Sequence, residues 1–167
     1  MTVEADDRAD DRAADRGADR GADRGRSGAA MTALSLVGLA IAGYLLTVRL
    51  LGGSPSCGPV HGCDTVAASE YATVLGVPVA LFGVGFSAVL VAATIGWWRR
   101  AEKRALYVAY GLGLAGIFAV AYLTYLELFV IEAICIWCVT YGLTIVAGWV
   151  LAILAVRSAS ALASTSP

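Results

Sequence analysis

The sequence predicts an all-α integral membrane protein, a four-helix bundle with a long outer loop between helices one and two. Three observations predict it. Hydrophobic residues make up 59% of the 167 and charged residues only 15%, against about 25% charged in a soluble domain. The charges are unevenly spread, because residues 1–30 hold 6 of the 12 basic and 8 of the 13 acidic groups. Four charge-free apolar stretches lie beyond, at 31–48, 71–98, 105–126 and 133–156. Such a body cannot present a charged surface to water, which excludes a soluble globular enzyme. A net charge of −1 leaves no electrostatic footprint for nucleic acid.

Residues 1–30 repeat Asp and Arg with a period of four, from Asp7-Arg8 to Asp23-Arg24, between Ala and Gly. Opposite charges at helical spacing support a transient helix. With almost no apolar surface to bury, however, a disordered, solvated leader is expected. It lacks the apolar core of a signal peptide, so no cleavage is expected there. A helix needs about 20 apolar residues to cross a bilayer core. The first stretch just suffices when Leu50 and Leu51 extend it. The second is too long for one crossing, and Gly76 and Pro78 mark where its helix begins, because proline suits a first turn. The loop before it spans about 52–75. Short connections then set successive helices antiparallel, and a domain of 31–156 is followed by a short polar tail at 157–167.

Orientation follows from cations. The connection 99–104 carries Arg99, Arg100, Lys103 and Arg104, and basic residues in short loops stay in the cytoplasm. Both termini are then expected inside a cell membrane, and the 52–75 loop and 127–132 turn outside. Arg49 is a lone basic residue at the outer end of helix one.

This topology places four thiols at one face, the oxidising one. Cys57 and Cys63 lie in the loop, and Cys135 and Cys138 form a Cys-x-x-Cys at the start of helix four. A helix N-terminus favours an anion and so lowers a thiol's pKa, and the thiolate is the species that attacks disulfides. A bridge across so short a loop constrains little in the unfolded chain, which argues against a passive staple. Cys57 and Cys63, six residues apart in a Gly/Pro loop, fit a modest staple and a mobile shuttle equally.

Four cysteines and His61 also suggest zinc, but structural zinc ligands come as two closely spaced pairs, so no metal is expected and His61 reads as an exposed loop residue. Residues 111–116 match G-x-G-x-x-G, yet no strand precedes them; small residues that let helices approach explain them better. Tyr122, Tyr125, Phe129, Trp137 and Tyr141 cluster toward the outer half of helices three and four. They fit an interfacial aromatic belt or a wall for a flat, lipid-soluble redox partner. Glu127 and Glu132 are candidates to serve protons to such a partner, and read better as markers of the water boundary.

In sum these residues resemble the vitamin K epoxide reductase family. The match is the Cys57–Cys63 pair followed by Asp64 to Ser69, then Gly76-Val77-Pro78, then Tyr122 to Phe129 leading into Cys135-Ile136-Trp137-Cys138. It covers about residues 31–156 and is similar to the bacterial disulfide-forming branch, without a fused thioredoxin-like domain. The resemblance implies that Cys138 reduces a quinone of the menaquinone or ubiquinone class, with Cys135 as its partner. It implies that Cys63 exchanges with Cys135, and Cys57 with a separate exported thioredoxin-like protein. It implies further that Ser69 and Tyr141 lie at the quinone head group. The expected activity is thus a quinone-dependent thiol oxidoreductase that supports disulfide formation in exported proteins. The alternative is a non-catalytic membrane subunit whose disulfides are structural.

Overall fold

The computed structural model describes residues 3–57 and 62–163, with side chains from residue 21 to 158 except 23 and 58–61. His61 lies outside the described residues. Helix α1 spans Val3–Leu50, α2 Gly62–Ala68, α3 Val79–Arg100, α4 Lys103–Phe129 and α5 Ile136–Ala163. Four of these carry segments long and apolar enough to cross a membrane: Arg24–Leu50, Val79–Arg100, Lys103–Phe129 and Ile136–Ser158. At 1.5 Å per residue the 22 residues of α3 reach about 33 Å, which matches a bilayer core of about 30 Å. The four pack as an all-α bundle, with α1 against α3 and α5, and α4 against α3 and α5.

Composition led to the expectation of disorder over 1–30, whereas α1 is helical from Val3. The costly step in helix formation is the nucleus. The apolar segment already supplies one, and the Ala-rich backbone before it continues it at little cost.

The bundle has two unlike ends. Toward the 99–104 connection it is tightly packed around Met31, Ala93, Trp97, Leu106, Ala109, Ala152 and Ala155. Glycines make this possible. A Cβ on Gly113 would stand 2.7 Å from the Trp149 ring, and one on Gly116 within 2.9 Å of Phe86 and Ile145. Gly113 and Gly116 of the G-x-G-x-x-G run therefore lie on a helix-packing face, as its apolar setting implies, while Gly111 faces open space.

The other end is capped by the 52–78 segment, which is more ordered than a plain loop. It holds α2, a 3-10 turn at Glu70–Ala72, and a two-stranded antiparallel hairpin, β1 Thr73–Val74 with β2 Val77–Pro78. The hairpin turn needs positive φ at Leu75 and Gly76, which the glycine supplies without strain. Pro78 is the N-cap of α3, so the second helix begins where Gly76 and Pro78 placed it. Arg49, the lone cation at this end of α1, donates from Nη1 to the Ala67 carbonyl at 2.9 Å. A cation suits the C-terminus of a short helix, and the bond ties α2 to α1.

Candidate thiol redox site

Cys135 sits one residue before α5, where its carbonyl accepts the Val139 N–H at 3.0 Å. It thus occupies the N-cap position, and the Cys-x-x-Cys spacing carries Cys138 one turn along the helix. Both are free thiols, Cys135 buried and Cys138 partly buried. Cys57 and Cys63 are joined as a disulfide with their Cα atoms 5.9 Å apart. Cys63, in the first turn of α2, is buried.

The two pairs meet. The sulfurs of Cys57, Cys63 and Cys135 all lie within 4.8 Å of one another. Three sulfurs this close also suit a soft metal ion, but a disulfide occupies two of them, and attack by one thiolate on the bond between the others is the reaction the arrangement favours.

Local sequence explains the approach. A Cβ on Gly62 would collide with the carbonyl oxygen of Ile134 and stand 2.8 Å from its nitrogen, so only glycine lets the start of α2 lie on the segment leading to Cys135. From the other side, the Trp137 ring nitrogen donates to the Ser56 carbonyl at 2.9 Å, and Tyr44 packs on Trp137 with ring centres 4.8 Å apart. The Tyr44 hydroxyl also accepts the Ser56 N–H at 3.3 Å. Ser56 is held through both its backbone groups, and Cys57 follows it.

The Cys135 thiol is lowered below its ordinary value to about 7. The main cause is the hydrogen bond from the Cys138 thiol, with help from the backbone N–H groups of Trp137 and Cys138 at the helix start; burial and the nearby Glu127 oppose it. The lowering favours the Cys135 thiolate, poised beside the loop disulfide.

Beneath the thiols lies a largely apolar cavity of about 510 Å³, opening among α1, α3, α4, α5 and the cap. Cys63, Cys135, Cys138, Ser69 and Tyr141 all line it, along with Phe82 and Phe86 of α3. Three of the four sequence-predicted cysteines, Cys63, Cys135 and Cys138, thus border one space with Ser69 and Tyr141, and Cys57 is tied to it through its disulfide to Cys63. The Ser69 hydroxyl donates to the Val66 carbonyl at 2.7 Å. The Tyr141 hydroxyl pairs with Ser87 at 3.2 Å and donates to the Gly83 carbonyl at 3.4 Å, which ties α5 to α3 at the cavity floor.

Two sequence expectations change. Tyr122, Tyr125 and Phe129 do not wall the cavity; they are exposed on α4, as interfacial belt residues would be, and only Trp137 and Tyr141 of that group join the site. Glu127 does not mark a water boundary. It is 5% exposed, borders the cavity, and accepts the Cys135 backbone N–H on Oε2 at 3.2 Å. The turn after α4 folds it inward, with the Ala133 N–H donating to the Glu127 carbonyl at 3.0 Å. Glu132 stays exposed.

A family model described as the vitamin K epoxide reductase family matches residues 29–153, about three-quarters of the chain. Comparison with curated proteins finds no match.

Proposed function

The chain belongs to the vitamin K epoxide reductase family, and from that premise we propose that it is a membrane thiol oxidoreductase that passes electrons from a thioredoxin-like partner to a membrane quinone. The observation that carries the reading is the contact of the loop disulfide with the Cys135 thiol above a cavity that Cys138 also lines. A reduced dithiol partner attacks the outer pair at Cys57, releasing Cys63. The second thiol of that partner then breaks the mixed bond, so the partner leaves as a disulfide and Cys57 is free to attack Cys63 in the closing step. The Cys63 thiolate attacks an inner Cys135–Cys138 disulfide at Cys135, the Cys63–Cys135 mixed bond resolves to the outer disulfide, and the inner pair is left reduced. Each step breaks one sulfur–sulfur bond as it forms another. The arrangement described, outer pair bonded and inner pair free, is the state in which two electrons have reached the inner pair.

The cavity is the place we assign to the quinone, of the menaquinone or ubiquinone class. It suits an apolar ring and tail. Ser69 and Tyr141 border the head group, and Cys138 delivers the electrons. The basic 99–104 turn supports an orientation with both termini in the cytoplasm and the thiols at the outer face of the cell membrane. Disulfide formation in exported proteins is the process served. Residues 31–156 form the working domain, between a leader at 1–30 and a tail at 157–167.

The test is quinone reduction by purified protein in lipid discs. Cys135→Ala and Cys138→Ala should each abolish it with dithiothreitol as donor. Cys57→Ser and Cys63→Ser should retain it with dithiothreitol and lose it with a thioredoxin-like protein. Outer-pair variants that fail with the small dithiol would overturn the relay.

A further inference from the structure

The electron relay leaves one buried ionisable side chain without a task. Glu127 ends an otherwise uncharged face of α4, and burying a carboxyl group without compensation costs several kcal/mol or more. Its partners are specific. Oε2 accepts the Cys135 N–H at 3.2 Å, and the Cys138 thiol, whose proton points chiefly toward Cys135, lies beside the same carboxyl group. The carboxyl group thus stands at the inner pair, next to the sulfur that must lose its proton before it can give up electrons. It also borders the cavity in which an electron acceptor would sit.

Helix capping alone does not account for this. A Ser, Asn or Asp at position 135 would cap α5 locally. Here a cysteine occupies the position, and a carboxylate is brought from another helix, eight residues earlier.

We propose that Glu127 is the acid–base residue of the inner cysteine pair. The proposal rests on the quinone reading only for the identity of the final acceptor. The Cys138 S–H bond breaks and its proton goes to a Glu127 carboxylate oxygen. The Cys138 thiolate gives two electrons to the acceptor, and its sulfur bonds to the Cys135 thiolate, whose own proton has already left to water. The dithiol is oxidised to a disulfide and the quinone is reduced to the hydroquinone. Of the two protons the hydroquinone requires, one comes from Glu127, which regenerates the carboxylate, and one from water, equal to the proton Cys135 released. The other titratable groups that share the cavity are Arg49 of α1, Cys63 of α2, Tyr71 of the 3-10 turn and Tyr141 of α5. None of these has a described bond to a Cys138 proton; Cys135, which also lines the cavity, accepts one, but as the thiolate that must bond to the Cys138 sulfur it cannot keep that proton.

The experiment uses full-length protein in lipid discs, with Glu127→Gln and Glu127→Asp. Gln keeps the shape and can still accept the Cys135 N–H, but it cannot carry a proton away. General acid–base groups contribute about 10²–10⁴-fold. Dithiothreitol-driven quinone reduction should therefore fall about 100-fold or more in the Gln variant and lose the part of the acid-side pH dependence that the Cys135 thiolate does not account for. Asp should restore part of both. The second measurement is made in a Cys57→Ser, Cys63→Ser background, which leaves only the inner thiols. There, oxidation by the soluble oxidant diamide should slow in the Gln variant, because deprotonation of Cys138 precedes transfer to any oxidant. A Gln variant with the wild-type diamide rate and pH profile overturns the proposal, whatever quinone does. A wild-type protein that reduces no quinone, while Gln still slows the diamide reaction, overturns the quinone reading and leaves the role of Glu127 standing.

Discussion

The Trp137 ring nitrogen donates to the Ser56 carbonyl at 2.9 Å, so a spacer residue of the inner cysteine motif grips the backbone next to the outer cysteine pair. The two pairs are 72 residues apart in sequence at their nearest members, Cys63 and Cys135. Trp137 makes their distance a property of the active motif itself. In Trp137→Phe the ring still packs on Tyr44, but the bond is lost. An exposed hydrogen bond of this kind is worth about 0.5–1 kcal/mol, so exchange between the pairs should slow about two- to fivefold. Rapid-quench alkylation of the mixed-disulfide intermediate would measure it. Oxidation of the inner pair alone should not change.

Gly62 sets the same distance from the cap side. In Gly62→Ala the added Cβ meets the Ile134 backbone, which is not the far end of a flexible side chain and cannot swing away. The start of α2 must lift, and Cys63 with it. Activity driven by a thioredoxin-like protein should fall at least tenfold while dithiothreitol-driven activity persists. Equal loss with both donors would show that the glycine serves the fold of the bundle instead.

The lowered Cys135 thiol predicts a pH profile. The thiolate is the reactive form, and its fraction rises with pH. Alkylation of Cys135 in the reduced protein, read by mass spectrometry, should therefore rise through about pH 7 and level off above it. The chief cause of the lowering is the Cys138 hydrogen bond, so Cys138→Ala should move the midpoint upward. An unmoved midpoint would assign the lowering to the helix start alone.

Gly113 tests the tightly packed end. In Gly113→Val the side chain would enter the Trp149 ring, whose nearest atom is 2.7 Å from the Cβ position. Overpacking of this kind costs about 1–3 kcal/mol, to be measured as lowered resistance to unfolding in detergent. The thiol chemistry, at the opposite end, should keep its pH profile.

Much of this architecture was legible in the sequence because its signals are local. Charge-free stretches of about 20 residues marked the four membrane helices, and Gly76 and Pro78 marked the start of α3. The Cys-x-x-Cys lay at the N-terminus of its helix, where its chemistry depends on neighbours one turn away. Features that depend on folding back were hidden. Glu127 lies at the end of an apolar stretch, and the turn that buries it is visible only once α5 packs on α4. Gly62 looked like one of several loop glycines until Ile134 lay against it. Tyr122, Tyr125 and Phe129 share an end of the bundle with the cavity but face away from it, a difference of rotation about α4 that composition does not encode. Arg49, read as an orientation anomaly, is a tether for α2.

Both cysteine pairs, the buried carboxyl group and the cavity lie at one end of the bundle, with the packed half and its small residues closing the other. Thiol exchange there shifts charge across the end of the protein and not along its axis. Moving one elementary charge across a membrane at 100 mV involves about 2.3 kcal/mol, and chemistry confined to one side moves almost none of that charge through the field. On the reading proposed above the redox cycle would be electrically silent, neither drawing on the transmembrane voltage nor adding to it, and the expected rate is the same in an energised and a depolarised membrane.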